Sequence, residues 1–474
     1  MTISISRRYI KAPALIFYLL LFLAVWFSPE GGKMAGTDLD AAVSGRDIVY
    51  GPFYSSSLYG KFDRKDIFSA ICFIWFFFAA CHYGLIKLLN INFITKLFAF
   101  RWIFILPFAS ALAFLYTSVS IQQIIRTFIL ELLPLILFVF AWLSYVKGHV
   151  SINDVLKFIK YLLIAVGINI ISFIVLNSSE IILMAARKEV INGHYSHLMP
   201  LLFSICYLDL YVSKKKKLIS INTLGIILSV LVAVFSLKRV LWVEIIATMT
   251  VLFIFTTPIF SLKGLKNIAY IVVISFLLYT GLSYGFNRIY GGTMTGVVER
   301  LYSITTFINP SKQLTGYSEF GNPNSLAGHD LVFRDTYENI MRKPILGHGN
   351  QKMEEVIKIK HSSKALFGGT AGSHAGHLFI WFKEGILGFL IYLSFYLYLG
   401  ITGLKSFRRT KNKNGLLLLV MIIVVFLQGI TWQTIFIFPS DLIVYMFLFA
   451  GLLHSIQRYS SYEGFNNNIL TFQQ

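Results

Sequence analysis

Apolar windows separated by polar breaks recur along the whole chain, near residues 12–27, 67–86, 100–118, 128–146, 158–176, 197–212, 218–235, 240–260, 267–286, 377–403, 415–436 and 440–456. Apolar runs of about 18 or more residues are long enough to cross the hydrocarbon layer as helices, so the pattern predicts an all-α polytopic membrane protein with about twelve transmembrane helices. Two windows are short for a layer roughly 30 Å thick and predict tilted or partial helices. The breaks divide the chain into an N-terminal transmembrane bundle (1–286), an extracytoplasmic loop (287–376) before the tenth helix, and a C-terminal group of helices (377–474). No internal repeat is evident, which argues against an inverted-repeat transporter without removing it.

Composition agrees with that pattern. Of 474 residues, 56% are hydrophobic and only 14% charged, too little charge to coat a soluble surface. Soluble enzyme, secreted disulfide scaffold and disordered protein are excluded. The cysteines, Cys72, Cys81 and Cys206, all lie inside apolar runs and read as buried thiols rather than a disulfide framework or metal site. Arg7, Arg8 and Lys11 precede the first apolar window, and no small-residue cleavage site follows it, which predicts an uncleaved first helix.

The net charge of +20 would suggest nucleic acid in a soluble protein. With the N-terminus in the cytoplasm and the spans alternating, however, the short-loop cations fall on the inner side: Lys87, Lys96 and Arg101; Lys147, Lys157 and Lys160; Lys214 to Lys217; Lys263 and Lys266; and Lys405, Arg408, Arg409, Lys411 and Lys413. Asp154, Asp209 and Glu463 are the acids on that side. Insertion alone explains this asymmetry, so nucleic acid is not an implied partner. Both termini are expected in the cytoplasm.

Two outer segments, 28–66 and 287–376, are longer than a connection requires, and the second carries His329, His348, His361 and His374. Long loops of distinct composition commonly carry function. Lys238 and Arg239, in FSLKRVLWVE, sit at the outer mouth of two spans. There a guanidinium either snorkels into headgroups or clamps a diphosphate, whose oxygens it matches bidentately. Arg187 and Lys188, in AARKEVINGHYSH, have the same two readings; His194 and His197 nearby read as interface packing before metal binding.

The stretch from Arg334 to Gly388 is the most informative. Phe333, Tyr337, Ile340 and Met341 make a helical pattern stopped by Pro344, a Gly347-His348-Gly349 turn follows, and His374 stands at the threshold of the tenth span. Arg334 and Arg342 are expected to project from a short helix at the membrane surface. A histidine at such a threshold can serve as a general base near neutral pH, although a lone loop histidine is more often structural. Glu131 and Glu244 lie inside spans; pairing with a core arginine is the expectation, a proton or cation path the functional alternative. Gly-rich nucleotide loops, zinc motifs and a nucleophilic serine elbow are absent from the sequence, and no cofactor is expected.

The order of these parts resembles the O-antigen ligase and Wzy-type O-antigen polymerase superfamily of bacterial envelope glycosyltransferases. Ser236-Leu237-Lys238-Arg239 opens a span; the Arg334 segment ends in Pro344-Ile345-Leu346-Gly347-His348-Gly349; and His374 precedes a span reading Glu384-Gly385-Ile386-Leu387-Gly388. The family's third element has His-Asn, aliphatic residues and then Gly-Leu-Leu-Gly. Counting back from Gly385 puts the family histidine on His374, where Ala375 stands for the usual asparagine, and His377 is the alternative. The resemblance covers about residues 187–400.

That resemblance implies a GT-C-like helical fold in the bacterial inner membrane and a metal-independent glycosyltransferase with an undecaprenyl-diphosphate-linked glycan as donor. His374 would deprotonate the acceptor hydroxyl. Arg239 and Arg334 would hold the diphosphate, with Arg187, Arg342 and Lys238 as further phosphate contacts and His348 and His377 as secondary residues. The implied partners are the donor, a glycan or lipid A core acceptor, membrane lipids and a chain-length regulator. A repeat-unit polymerase is preferred over a ligase that passes the glycan to lipid A core, because of the extra segment 28–66 and the aromatic-rich helices. A secondary transporter or lipid flippase is the rival of another class, kept by Glu131 and Glu244.

Overall fold

A computed structural model of the chain describes residues 12–26, 137–176, 197–212, 220–236, 239–256, 337–348, 376–431 and 443–458. Among these residues the structure is helical and has no strands. The helices are α1 (Ala12–Trp26), α2 (Leu137–Val146), α3 (Ile152–Leu176), α4 (Met199–Val212), α5 (Ile221–Ser236), α6 (Arg239–Thr256), α7 (Gly376–Thr410), α8 (Lys413–Thr431) and α9 (Ile443–Arg458). Of these, α3, α7 and α8 are long and apolar enough to cross a membrane. The windows expected at 67–86, 100–118 and 267–286 lie outside the described residues, as do segment 28–66 and Glu131.

Local chemistry sets the helix ends. The expected start of the fifth span at 158 moves back to Ile152, because the Ser151 carbonyl accepts the Val155 amide at 3.0 Å and Asp154 suits the positive end of the helix dipole. Ser220 caps α5, its Oγ accepting the Thr223 amide at 3.1 Å. The tenth span, expected to end at 403, continues to Thr410, with Arg408 and Arg409 in the last turn, where cations complement the dipole. Lys411 then takes a left-handed conformation (φ 53°), and Asn412 Oδ1 accepts the Asn414 amide at 3.0 Å to start α8. The α7–α8 connection is therefore a tight reversal.

Packing follows from the apolar faces. In α7, Leu387, Leu390, Leu397 and Ile401 share an exposed face, while Tyr392, Phe395, Tyr396 and Leu399 are buried. Near the reversal, Gly403 and Gly415 face each other so closely that a Cβ on either would come within 2.6 Å of the other's carbonyl oxygen. Small residues permit this kind of backbone approach between apolar helices.

Polar side chains gather at the two ends of the bundle. At the end where the sequence places the cytoplasm, Asp209 on α4 receives Lys160 of α3 at 2.9 Å and Lys413 of α8 at 3.0 Å. Lys160 also donates to Asn222 of α5 at 2.9 Å. The start of α3, end of α4, start of α5 and start of α8 thus meet, as antiparallel neighbours should. The opposite end collects the start of α4, the start of α6, the start of α7 and the end of α8.

Candidate functional site

The two motifs that carry the resemblance in the C-terminal half are bound to each other. Residues 337–340 form a single helical turn with Ile340 buried, and the chain then turns through Pro344 to His348. Gly347 has φ 72°, a conformation glycine adopts without strain. This turn presses on α7 where Gly385 (φ 66°, ψ −177°) breaks the helix.

The break is specific in its hydrogen bonding. A continuous α-helix would join the Ile386 amide to the Phe382 carbonyl, four residues back. Instead, the His348 amide donates to Phe382 O and the Ile386 amide donates to Pro344 O, both at 2.8 Å. The Phe382 carbonyl and the Ile386 amide, parted by the kink, are therefore both satisfied by the same inserted turn, the kind of cause to which sharp helix kinks trace. The Trp381 indole adds a donation to Pro344 O at 3.2 Å, and Gly347 N donates to Lys343 O at 3.0 Å.

His348 belongs to this clasp. Its Nε2–H donates to the Asn339 carbonyl at 2.7 Å and its ring stacks on Phe382 with centroids 4.6 Å apart. Burial, then the neighbouring cations Lys343 and Arg342, hold its pKa below the ordinary imidazole value, against the pull of the Asn339 carbonyl. It is a neutral strut that fastens the turn to α7. Arg342, in the turn that follows residues 337–340, is exposed.

His377 stands in the first turn of α7. Its Nε2–H donates to the Phe426 carbonyl of α8 at 2.9 Å, and its ring lies against Phe426 with centroids 4.4 Å apart. A Cβ on Gly429 would collide with this ring. With Nε2 donating to a carbonyl, the neutral ring carries its lone pair on Nδ1.

One position away on α8, Gln428 organises a buried polar group. Its Nε2 donates to the His197 carbonyl at 2.9 Å and to Glu244 Oε2 at 3.2 Å, while Tyr445 of α9 donates to its Oε1 at 3.3 Å. His197 Nδ1 lies 3.6 Å from Glu244 Oε1, and the Glu244 side chain is fully buried. His197 and Gln428 are thus neighbours of Glu244 inside the bundle. Close by, the Trp242 indole donates to the Ala233 carbonyl in the last turn of α5 at 2.6 Å.

Residues 426–429 of α8 thus support α7 through His377 and α6 through Gln428. The segments that lead in sequence to His374 and to Lys238-Arg239 consequently begin at the same end of the bundle. Arg239 opens the α6 backbone; its side chain, and His374, Arg334, Arg187 and Lys238, lie outside the described residues. Among the described residues no cluster of three or more His, Cys, Asp or Glu side chains is arranged to hold a metal ion.

Gln428, Tyr445 and Trp242 were not singled out from the sequence. For Gln428 a signal existed, since it is a lone amide inside the apolar run LLLLVMIIVVFLQGI. No model of a known protein family matches the chain, and no curated protein matches it.

Proposed function

We propose that the chain is a membrane glycosyltransferase that moves an undecaprenyl-diphosphate-linked oligosaccharide onto an acceptor sugar hydroxyl, as a polysaccharide repeat-unit polymerase. In this reading about twelve helices in a GT-C-like arrangement span the bacterial inner membrane, with both termini cytoplasmic and residues 287–376 outside. The observation that carries it is the clasp between Pro344–His348 and the Gly385 kink. It joins the second and third motifs of the resemblance, and α8 links that unit to the helix opened by the first.

The chemistry divides by charge. The acceptor oxygen attacks the anomeric carbon of the donor, its proton passes to the neutral imidazole of His374, and the carbon–oxygen bond to the diphosphate breaks with the electron pair leaving on the carrier lipid. A base must titrate near neutrality, whereas the groups that stabilise a departing diphosphate must stay charged. Histidine suits the first task; Arg239 and Arg334 suit the second, assisted by Arg187, Arg342 and Lys238.

The test is complementation of a polysaccharide-deficient strain with wild type and His374→Ala, comparing glycan ladders on the carrier lipid with glycan on lipid A core. Ladders on the carrier that depend on His374 support a polymerase. Attachment to core alone makes the enzyme a ligase. If neither product depends on the chain, and a solute or lipid crosses vesicles only under an ion gradient, the transferase reading fails in favour of a transporter.

A further inference from the structure

We infer that Trp242 and Glu244 are positioning residues, which hold the first turn of α6 so that Arg239 meets the donor diphosphate; the inference rests on the proposed role of Arg239. At 3.6 residues per turn, two residues two positions apart project roughly 200° from each other around a helix. Trp242 and Glu244 make polar links in those two directions: the indole to the Ala233 carbonyl of α5 at 2.6 Å, and the carboxylate to Gln428 of α8 at 3.2 Å. Arg239 lies three residues before one and five before the other. The start of α6 is thereby fixed in both rotation and depth.

The anchors are themselves held. Gln428 is tied to the His197 carbonyl and to the Tyr445 hydroxyl, and His197 Nδ1 lies 3.6 Å from the other Glu244 oxygen. A fully buried carboxylate is a poor device for stability, because its desolvation cost is large and an apolar side chain of similar volume often serves as well. Its value is register: it accepts hydrogen bonds only where a donor stands, whereas an apolar contact tolerates sliding and rotation. Register is what a diphosphate clamp at the helix end requires, since a displacement of about 1 Å at a reacting group can cost on the order of a hundredfold in rate.

The test measures binding of farnesyl diphosphate to the full chain in phospholipid nanodiscs by titration calorimetry. Glu244→Leu, Trp242→Phe and Arg239→Ala should each weaken binding by about tenfold or more, the scale of a lost hydrogen bond to a charged group. Glu244→Gln, whose amide oxygen can still accept from Gln428, should stay within about threefold of wild type. In an Arg239→Ala background, adding Trp242→Phe or Glu244→Leu should change the dissociation constant by less than about twofold, because residues acting through Arg239 have nothing left to position.

The inference is overturned if Glu244→Leu and Trp242→Phe bind as wild type, if Glu244→Gln is as weak as Glu244→Leu, or if their losses recur in full without Arg239. Trp242→Phe keeps a six-membered aromatic ring while removing the indole donor together with the five-membered ring, so with its Arg239→Ala background control it decides the matter if Glu244→Leu does not fold. Should wild type not bind the probe, or Arg239→Ala bind it normally, the donor-clamp reading falls and this inference with it. Additive losses, by contrast, leave the clamp standing and remove only the positioning role.

Discussion

Gly347 and Gly385 lie back to back, each with positive φ and each occupying the space that the other's Cβ would need: a Cβ on Gly385 would sit 2.7 Å from the Gly347 amide nitrogen. Two glycines far apart in the sequence are thus one structural unit, the point at which the Pro344 turn enters the α7 kink.

Gly385→Ala should therefore carry two penalties, the unfavourable backbone conformation and a collision with the Ile345 carbonyl. Gly148→Ala supplies the control, because Gly148 also has positive φ (68°) but nothing within 4 Å of a built Cβ. The control should cost on the order of 1 kcal/mol. Gly385→Ala should cost clearly more and should open the 337–348 turn to proteolysis. Thermal melting and limited proteolysis in detergent measure both; equal losses in the two variants would mean that the clasp is not tight.

The clasp should also weaken in acid. His348 is held neutral, chiefly by burial and then by Lys343 and Arg342. In the unfolded chain an imidazole takes its proton at about pH 6.5. The unfolded state then binds more protons than the folded one below that value, so His348's contribution is fully present above about pH 6.5 and is lost as pH falls towards the depressed folded value. Melting temperature between about pH 7.5 and pH 5.5 should drop more steeply for wild type than for His348→Gln, whose amide can still donate to Asn339 without titrating. Parallel profiles would assign the acid sensitivity elsewhere.

Much of this was legible from residue order, and the reason is physical. Hydrophobic windows report helices directly, so the beginnings and ends of α1, α4, α5 and α9 fall close to where apolar runs start and stop. The Pro344 stop and the Gly347 turn were legible because proline and glycine restrict the backbone locally. That Gly385 would break a helix, and that a distant turn would satisfy the released Phe382 and Ile386 groups, was not, because a hydrogen bond across such a separation leaves no local periodicity. The neighbours of Glu244 were not legible for a related reason: a buried carboxylate announces that it needs donors, but not that a glutamine and a histidine from other parts of the chain stand beside it.

At the opposite end, Asp209 neutralises Lys160 and Lys413 together. Asp209→Asn leaves both ammonium groups without their counter-charge, and each hydrogen bond to a charged group contributes about 1.5–3 kcal/mol. A loss in that range is expected, larger than that of Asp209→Asn measured in a Lys160→Met background, where the better buried of the two lysines is gone. Melting of the four proteins gives the coupling; no coupling would make the contact an incidental surface pair.

The base assignment can be decided between its two histidines because an amide can imitate one role and not the other. His377 donates its Nε2–H to the Phe426 carbonyl and packs on α8. A glutamine at 377 still offers an N–H, so His377→Gln should fold and retain most of its transfer activity. At 374 a glutamine has no basic nitrogen, and removing a general base should cost about a hundredfold or more in rate. His374→Gln should therefore be nearly inactive while remaining folded and able to bind a prenyl diphosphate through its arginines. The measurement is glycan elongation in purified membranes, with folded protein counted by size exclusion. If His377→Gln is the inactive variant and His374→Gln is not, the proton passes through the first turn of α7, and the α8 contact with Phe426 becomes the element that orients the base.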